Sequence, residues 1–422
     1  MKMMINIIVL LSLLFTGEGC FYADTADVKP TFKPSTITLP SGFSSTVFYE
    51  NLGRARHLAV AANGDVYVKL EKLKDGKGIF KLKDSNNDGA ADIATGFGNY
   101  IGTGIAIKNG YLYASSDSAV FRYNMSTDLD SNSKAETIIS GLWNRRQHQS
   151  KSITLDNAGN IYVNIGAPSN MCQVEDRKKG SPGRNPCPIL DSAGGIWQFK
   201  TDLQNQSYAQ GQRYATGLRN VVGLDWNQSN NELYAMQHGR DMLFQFYPEL
   251  FNQQEGAENP AEEMFRLKRG DDAGWPYCYF DNGKKKKLIN PEYGGDRSFP
   301  GVCPGKVQSI LQFPGHLAPN ALLFYTGTMF PEKYKNGAFI AFHGSWNRSP
   351  EPQEGYYVVF VPFKDGLPSG KWEVFADNFA GPGKAQGKAD FRPTGLAQGP
   401  DGALYISDDQ KGNIWKVTYS NK

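Results

Sequence analysis

One pattern in this chain returns six times, and no other feature of the sequence restricts the fold as tightly. Each copy has a small or apolar lead-in, a short turn carrying Asn or Asp with Gly, and an alternating stretch, as a rule with a tyrosine. The copies are RHLAVAANGDVYVKL (56–70), GIAIKNGYLYASS (104–116), SITLDNAGNIYVNIG (152–166), VGLDWNQSNNELYAMQHG (222–239), ALLFYTGTMFPEKYKNGAFIAFHG (321–344) and TGLAQGPDGALYISDD (394–409). The turn residues tolerate positive φ and the flanks alternate at period two, so each copy reads as a β-hairpin. A further strand follows several of them, as in AVFRYNM, GGIWQFKTD, GYYVVFVPF and GNIWKVTY.

A unit of about four strands cannot bury both of its faces alone, and a run of such units is the signature of propeller blades. The expected fold is therefore all-β, a six-bladed β-propeller. The early stretch ITLPSGFSSTVFYENL (37–52) is expected to lend the closing strand to the last blade. An array of β-sandwiches is the alternative, but six near-equivalent hairpins close more naturally into a ring. Composition agrees, since 13% aromatic residues and 46 glycines suit short strands and tight turns. Spacing stretches after the fourth and fifth copies, so 245–310 and 366–391 read as insertions over one face, where loops build sites.

The chain divides, on this reading, into a signal segment 1–19, a linker 20–36 and the propeller 37–420. The apolar run from Ile5 to Phe15 is too short to span a bilayer and fits export. Two processing routes stay open, a lipid anchor on Cys20 or ordinary cleavage near Cys20 or Ala23. Either way the mature protein is expected outside the cytoplasm, periplasmic or secreted, touching a membrane only through such an anchor. Export favours disulfides among Cys172, Cys187, Cys278 and Cys303. Proximity favours Cys172 with Cys187 and Cys278 with Cys303 among three connectivities, and the lack of C-x-x-C spacing speaks against a metal-thiolate site. A net charge of +3 with mixed signs carries no nucleic-acid footprint. The run Lys284–Lys287 reads as a solvated loop tip.

In a propeller the first strand of each blade lines the central channel, so polar residues at its ends converge. That collects Arg56, His57, His148, Arg219, Asn220, His238 to Asp241, His316, Asn320, His343 to Arg348 and Arg392. All five histidines of the chain fall in this set. Singly, each caps a backbone or fills the channel. Together they describe a cationic funnel suited to a flat, multiply anionic ligand held by guanidinium forks. Separately, KDSNNDGAAD (83–92) sets Asp84, Asn86, Asp88 and Asp92 at offsets one, three, five and nine, with Gly89 at six. That spacing fits a structural calcium loop, although Thr95 holds the twelfth position; an Asx-rich hairpin turn is the other reading.

Several motifs now carry a resemblance: GLRNVVGLDW, EEMFRLKRGDDAGWPYCYFD, HLAPNALLFYTG, GAFIAFHGSWNRSP, GYYVVFVPF and RPTGLAQGPDGALYISDD. They resemble the soluble sugar dehydrogenases dependent on pyrroloquinoline quinone (PQQ), most closely the sorbosone-dehydrogenase-like branch, from about Ser41 to Val417. The resemblance implies an exported six-bladed quinoprotein oxidising an aldose, sorbosone or a related aldehyde or hydroxyl. It implies His148 as the base taking the hydroxyl proton, with Arg392 stabilising negative charge in catalysis. It implies cofactor contacts from Arg219, Asn220, Trp346, Arg348 and Arg392, and a calcium ion on the backbone carbonyls of Gly239 and Arg240. Two positions depart from the family: Trp346 or Asn347 stands where a lysine is usual, and Asp390 where a second arginine is. The partners implied are a small sugar and, because the chain has no C-x-x-C-H haem motif, a separate cytochrome or quinone as electron acceptor. Competing readings are a calcium-dependent propeller lactonase, which wants Glu, Asn and Asp around a metal, and a non-catalytic propeller binding an acidic glycan.

Overall fold

The computed structural model describes residues 36–344, 346–384 and 387–420. The expected signal segment, Cys20 and the linker up to residue 35 lie outside the described residues. Among the described residues no helix is long and apolar enough to cross a membrane.

Each of the six hairpins forms where the sequence places it. In the first, Ala55–Val60 runs antiparallel to Val66–Lys74. The turn between them holds Gly64 at φ 91°, and the Asn63 side chain accepts a hydrogen bond from the Asp65 backbone N–H. A left-handed φ at that position is cheap only for glycine. Lys77–Lys83 and Ile93–Phe97 complete a four-stranded blade.

The innermost strands of the six blades are Ala55–Val60, Ile105–Lys108, Ile153–Leu155, Val221–Asn227, Pro319–Phe324 and Pro393–Gln398. Each packs against the innermost strands of both neighbouring blades, first against sixth included, so the ring closes. The closing device is the expected one. Phe43–Tyr49 pairs antiparallel with Ile414–Tyr419 as the outermost strand of blade six. Phe43 is set edge-on against Phe330 and Phe375, each at 4.9 Å between ring centres, and this locks the chain start onto the last blades.

Two features depart from expectation. Part of each supposed insertion is blade: Glu262–Leu267 is the third strand of blade four, whose fourth strand, Leu311–Phe313, follows directly after the first insertion, and Glu373–Ala376 belongs to blade five. Glu262 and Glu263 open that third strand and read as polar, yet both are buried because internal donors meet their carboxylates. The basic run is likewise no solvated tip throughout. Lys286–Ile289 is a strand paired with Cys278–Asp281, and Lys287 turns inward to donate to the carbonyls of Ala273 and Val307. Both disulfides form as proximity favoured, Cys172–Cys187 and Cys278–Cys303.

Candidate ligand well on the propeller axis

Neighbouring strands of a blade are antiparallel, so the start of each innermost strand and the end of its partner reach the same face of the ring. That rule gathers residues hundreds of positions apart. His57, in the first innermost strand, donates from Nε2 to the Asn320 carbonyl at 2.8 Å, joining blades one and five. Burial drives the His57 pKa down to about 4, so its ring is neutral. His238 likewise reaches the Pro319 carbonyl at 3.2 Å.

His148 precedes the innermost strand of blade three with φ 53°. Its Nδ1–H donates to the Ala167 carbonyl at 2.5 Å, which leaves Nε2 as the open lone pair, without a partner among the described residues. Burial first, and the Arg219 guanidinium second, hold its pKa well below the ordinary value, so it stands neutral and able to accept a proton. Asn220 lies beside it. Its Oδ1 is buried and unpartnered, and so is Nε of Arg219. Unpaired buried polar atoms are costly, so this corner offers an acceptor and a donor to a water or a ligand.

Asp241 organises the wall next to it. Its carboxylate accepts from Arg219 Nη2 at 2.8 Å, Arg177 Nη2 at 2.9 Å and Asn347 Nδ2 at 2.7 Å. Burial opposes ionisation, but the two guanidinium groups outweigh it and keep Asp241 charged. Arg177 escaped the sequence reading because it sits mid-loop, away from any strand end. The Cys172–Cys187 loop delivers it, with Nε donating to Gln147, next to His148 in sequence.

Of the two carbonyls expected to hold calcium, that of Gly239 already accepts from Arg219 Nη1 at 2.9 Å. A guanidinium cation thus already lies against that oxygen and takes one of its two lone pairs. The Arg240 side chain turns away into a buried pair with Glu292 at 2.5 Å. In the second predicted calcium loop the Asp and Asn side chains bond to the loop's own backbone. Asp84 accepts from the backbone N–H groups of Asp88 and Gly89, Asn86 from that of Asp88, Asp88 from that of Ala90, and Asp92 from Ser85. Among the described residues no three His, Cys, Asp or Glu side chains are grouped to hold a metal ion.

Across the ring, Asp409 gathers a second cluster. His343 Nε2–H donates to it at 2.7 Å and Arg56 Nη1 at 2.9 Å. Arg392 is adjacent, but its guanidinium donates to the carbonyls of His343 and Gly344 and is spent on shaping that turn. Arg348 departs further from expectation. Its four donor contacts go to the carbonyls of Ala257, Gly315 and Pro352 and to Glu258, behind the wall and not into the well. Trp346 is 54% exposed, an open indole face on the same turn.

The fold and site define a six-bladed propeller with a cationic, imidazole-lined well at one end of its axis. A family model described as TrAA12-like matches residues 37–420, and the chain belongs to that family. An uncharacterized protein of Borreliella burgdorferi is 25% identical over 402 residues, 91% of each chain. A pyrroloquinoline quinone-dependent pyranose dehydrogenase of Coprinopsis cinerea is 26% identical over 318 residues, 67% of this chain and 41% of that one. The chain therefore spans less than half of that relative's length. The holo PQQ domain of Coprinopsis cinerea pyranose dehydrogenase superposes with a TM-score of 0.73 at 20% identity, covering 92% of this chain and 98% of that one. The PQQ-bound aldose sugar dehydrogenase of Streptomyces coelicolor gives 0.55 at 17% identity, over 91% of this chain and all of its own. The expected six-bladed fold and the resemblance to the PQQ sugar dehydrogenases are thereby shown.

Proposed function

We propose that this protein is a PQQ-dependent oxidoreductase acting on a CH–OH or hydrated aldehyde group of a sugar-like substrate, an aldose, sorbosone or a relative, with His148 as the base. Family membership supports the class, and the printed names of the Coprinopsis cinerea and Streptomyces coelicolor proteins support the cofactor. One observation of this chain carries the reading: the Asn220 amide oxygen and Arg219 Nε are both buried and unpartnered, and that amide oxygen closes on Gly166 together with His148.

The residues fit the quinone. Arg56, Arg177, Arg219 and Arg392 outnumber Asp241 and Asp409, so the well carries excess positive charge for a tricarboxylate. When bound, the quinone supplies an acceptor for hydride. The chain's own part is to hold the ligand at Arg219 and Asn220, to offer the Trp346 face to ring or sugar, and to take the hydroxyl proton at His148 Nε2. Arg392 acts here by shaping the wall. Calcium fits less well, since Gly239 O is engaged, and no step is assigned to it.

The two disulfides are consistent with an exported protein. A periplasmic or secreted location and a separate electron acceptor complete the reading. The test is reconstitution with PQQ, with and without calcium, followed by a dye acceptor and a panel of aldoses, ketoses and uronates. Dye bleaching that H148Q abolishes while quinone uptake persists is the expected result. Quinone binding without turnover of any sugar, or no quinone binding at all, would instead favour a non-catalytic propeller holding an acidic glycan.

A further inference from the structure

Four imidazoles of the well, His57, His148, His238 and His343, keep one ring nitrogen without a partner among the described residues, and the reaction proposed above uses that of His148. His57 and His238 hand their bonded nitrogen to a backbone carbonyl, and of the four only His343 hands it to a carboxylate. His343 lies just past the strand Gly337–Phe342 of blade five. With Nε2–H donating to Asp409 Oδ1, the remaining lone pair is on Nδ1, which has no partner among the described residues and is not sealed from solvent. Asp409 Oδ2 is held by Arg56 Nη1, so the carboxylate cannot swing away. This is the arrangement in which a carboxylate fixes an imidazole tautomer and stabilises its protonated form.

The charged and titratable groups facing this ring come from three blades: Asp409 and Arg392 from the sixth, Arg56 from the first and His238 from the fourth. Burial keeps the ring neutral in the resting protein, against the pull of Asp409. His148 has a carbonyl behind it, and the Arg219 guanidinium beside it outweighs the pull of the Asp241 carboxylate, to which His148 makes no direct bond. A proton is thus better supported on His343 than on His148.

Oxidising CH–OH to C=O removes two electrons and two hydrogens. The hydroxyl hydrogen leaves as a proton to His148, and the O–H electron pair becomes the second C–O bond. The carbon-bound hydrogen leaves with its electron pair as hydride to the quinone. When an external electron carrier draws that pair off, the hydrogen remains as a proton, so two protons leave per substrate oxidised. We propose that His343 is a second proton-accepting residue of the well, taking this remaining proton at Nδ1, with Asp409 as its positioning residue. The inference rests on the quinone-dependent reading above.

The two halves of turnover separate in a stopped-flow experiment on PQQ-loaded protein. One mixing adds sugar, and the other adds an electron acceptor to protein already reduced by sugar. In H343Q the amide keeps a donor for Asp409 but has no proton-accepting nitrogen. The expected result is that reoxidation slows by about 100-fold while reduction by sugar slows much less, and that H148Q shows the opposite split. D409N should slow reoxidation and shift its pH dependence, with thermal midpoint and quinone uptake confirming that both variants fold. In the protein without cofactor, nitrogen-15 NMR of the imidazoles should show His343 protonated at Nε2, and D409N should erode that tautomer preference. Equal slowing of both halves by H343Q, no slowing of either, or an Nδ1-protonated resting ring would overturn the inference. If the unmodified protein takes up no quinone, the functional reading itself has failed and this inference falls with it.

Discussion

His148 and Asn220 meet across Gly166. A β-carbon built on Gly166 would lie 2.7 Å from the His148 Cβ, 2.5 Å from its carbonyl oxygen and 3.3 Å from Asn220 Oδ1. Glycine is there for space, because these three atoms close over it. G166A should therefore push His148 off its bond to Ala167 and disturb the Asn220 corner. A fall of at least about tenfold in quinone affinity or turnover is expected, since sub-ångström displacement of a base is costly. Titration with PQQ followed by fluorescence checks it, and an unchanged affinity and rate would mean that the corner is not where the ligand sits.

Arg219 and Arg348 should behave as opposites. Arg348 holds three carbonyls and Glu258 together, so R348A should lower stability by about 2 kcal/mol through unsatisfied buried acceptors, with little loss of ligand affinity. R219A removes a cation from the well itself and should weaken quinone binding strongly. Urea unfolding beside PQQ titration separates the two. Strong loss of affinity in R348A would restore it to the cofactor contacts.

Asp241 neutralises the buried guanidinium of Arg219 and the partly exposed one of Arg177 at once. D241N leaves Arg219 uncompensated and should cost roughly 3 kcal/mol of stability, the range for breaking one side of a buried pair. Calorimetry on the variant measures this directly. A neutral result would show that water reaches Arg219 freely.

His57 sets a pH dependence with a defined sign. Its native pKa of about 4 lies below the ordinary 6.5, so the unfolded chain binds a proton that the native ring refuses. Its contribution is complete above about pH 6.5 and is lost as pH falls toward 4, amounting to at most roughly 3 kcal/mol at about 1.4 kcal/mol per pKa unit. H57Q keeps a donor for the Asn320 carbonyl and should flatten the melting temperature between pH 6.5 and 4. An equally steep profile in the variant would assign the acid sensitivity to other groups.

The Cys172–Cys187 bridge carries Arg177 to the well. Replacing both cysteines by serine frees a loop whose ends are 15 residues apart, worth about 3 kcal/mol by chain entropy. Affinity for PQQ should drop as well, to the level of R177Q. Stability loss with intact affinity would reduce Arg177 to a purely local contact.

Much of this architecture is legible without coordinates, because a blade is a local object. Hairpin turns such as Asn63–Gly64 and the period-two alternation beside them are properties of a dozen neighbouring residues, and six copies leave little choice but a ring. The closing strand from 37–52 follows from the same count, and both disulfides follow from short loops in an oxidising setting. Strand ends could likewise be named as a pool from which a site is drawn, and His148, Arg219 and Asn220 came from that pool. Which guanidinium donors stay open was not legible, since it depends on acceptors brought in by other blades. Glu258 and three carbonyls consume Arg348, Gly344 helps consume Arg392, and Asp409 chooses His343 over the other histidines. Charge and periodicity are written along the chain, whereas hydrogen-bond partnership is settled only where distant segments meet. Ring closure performs that meeting here.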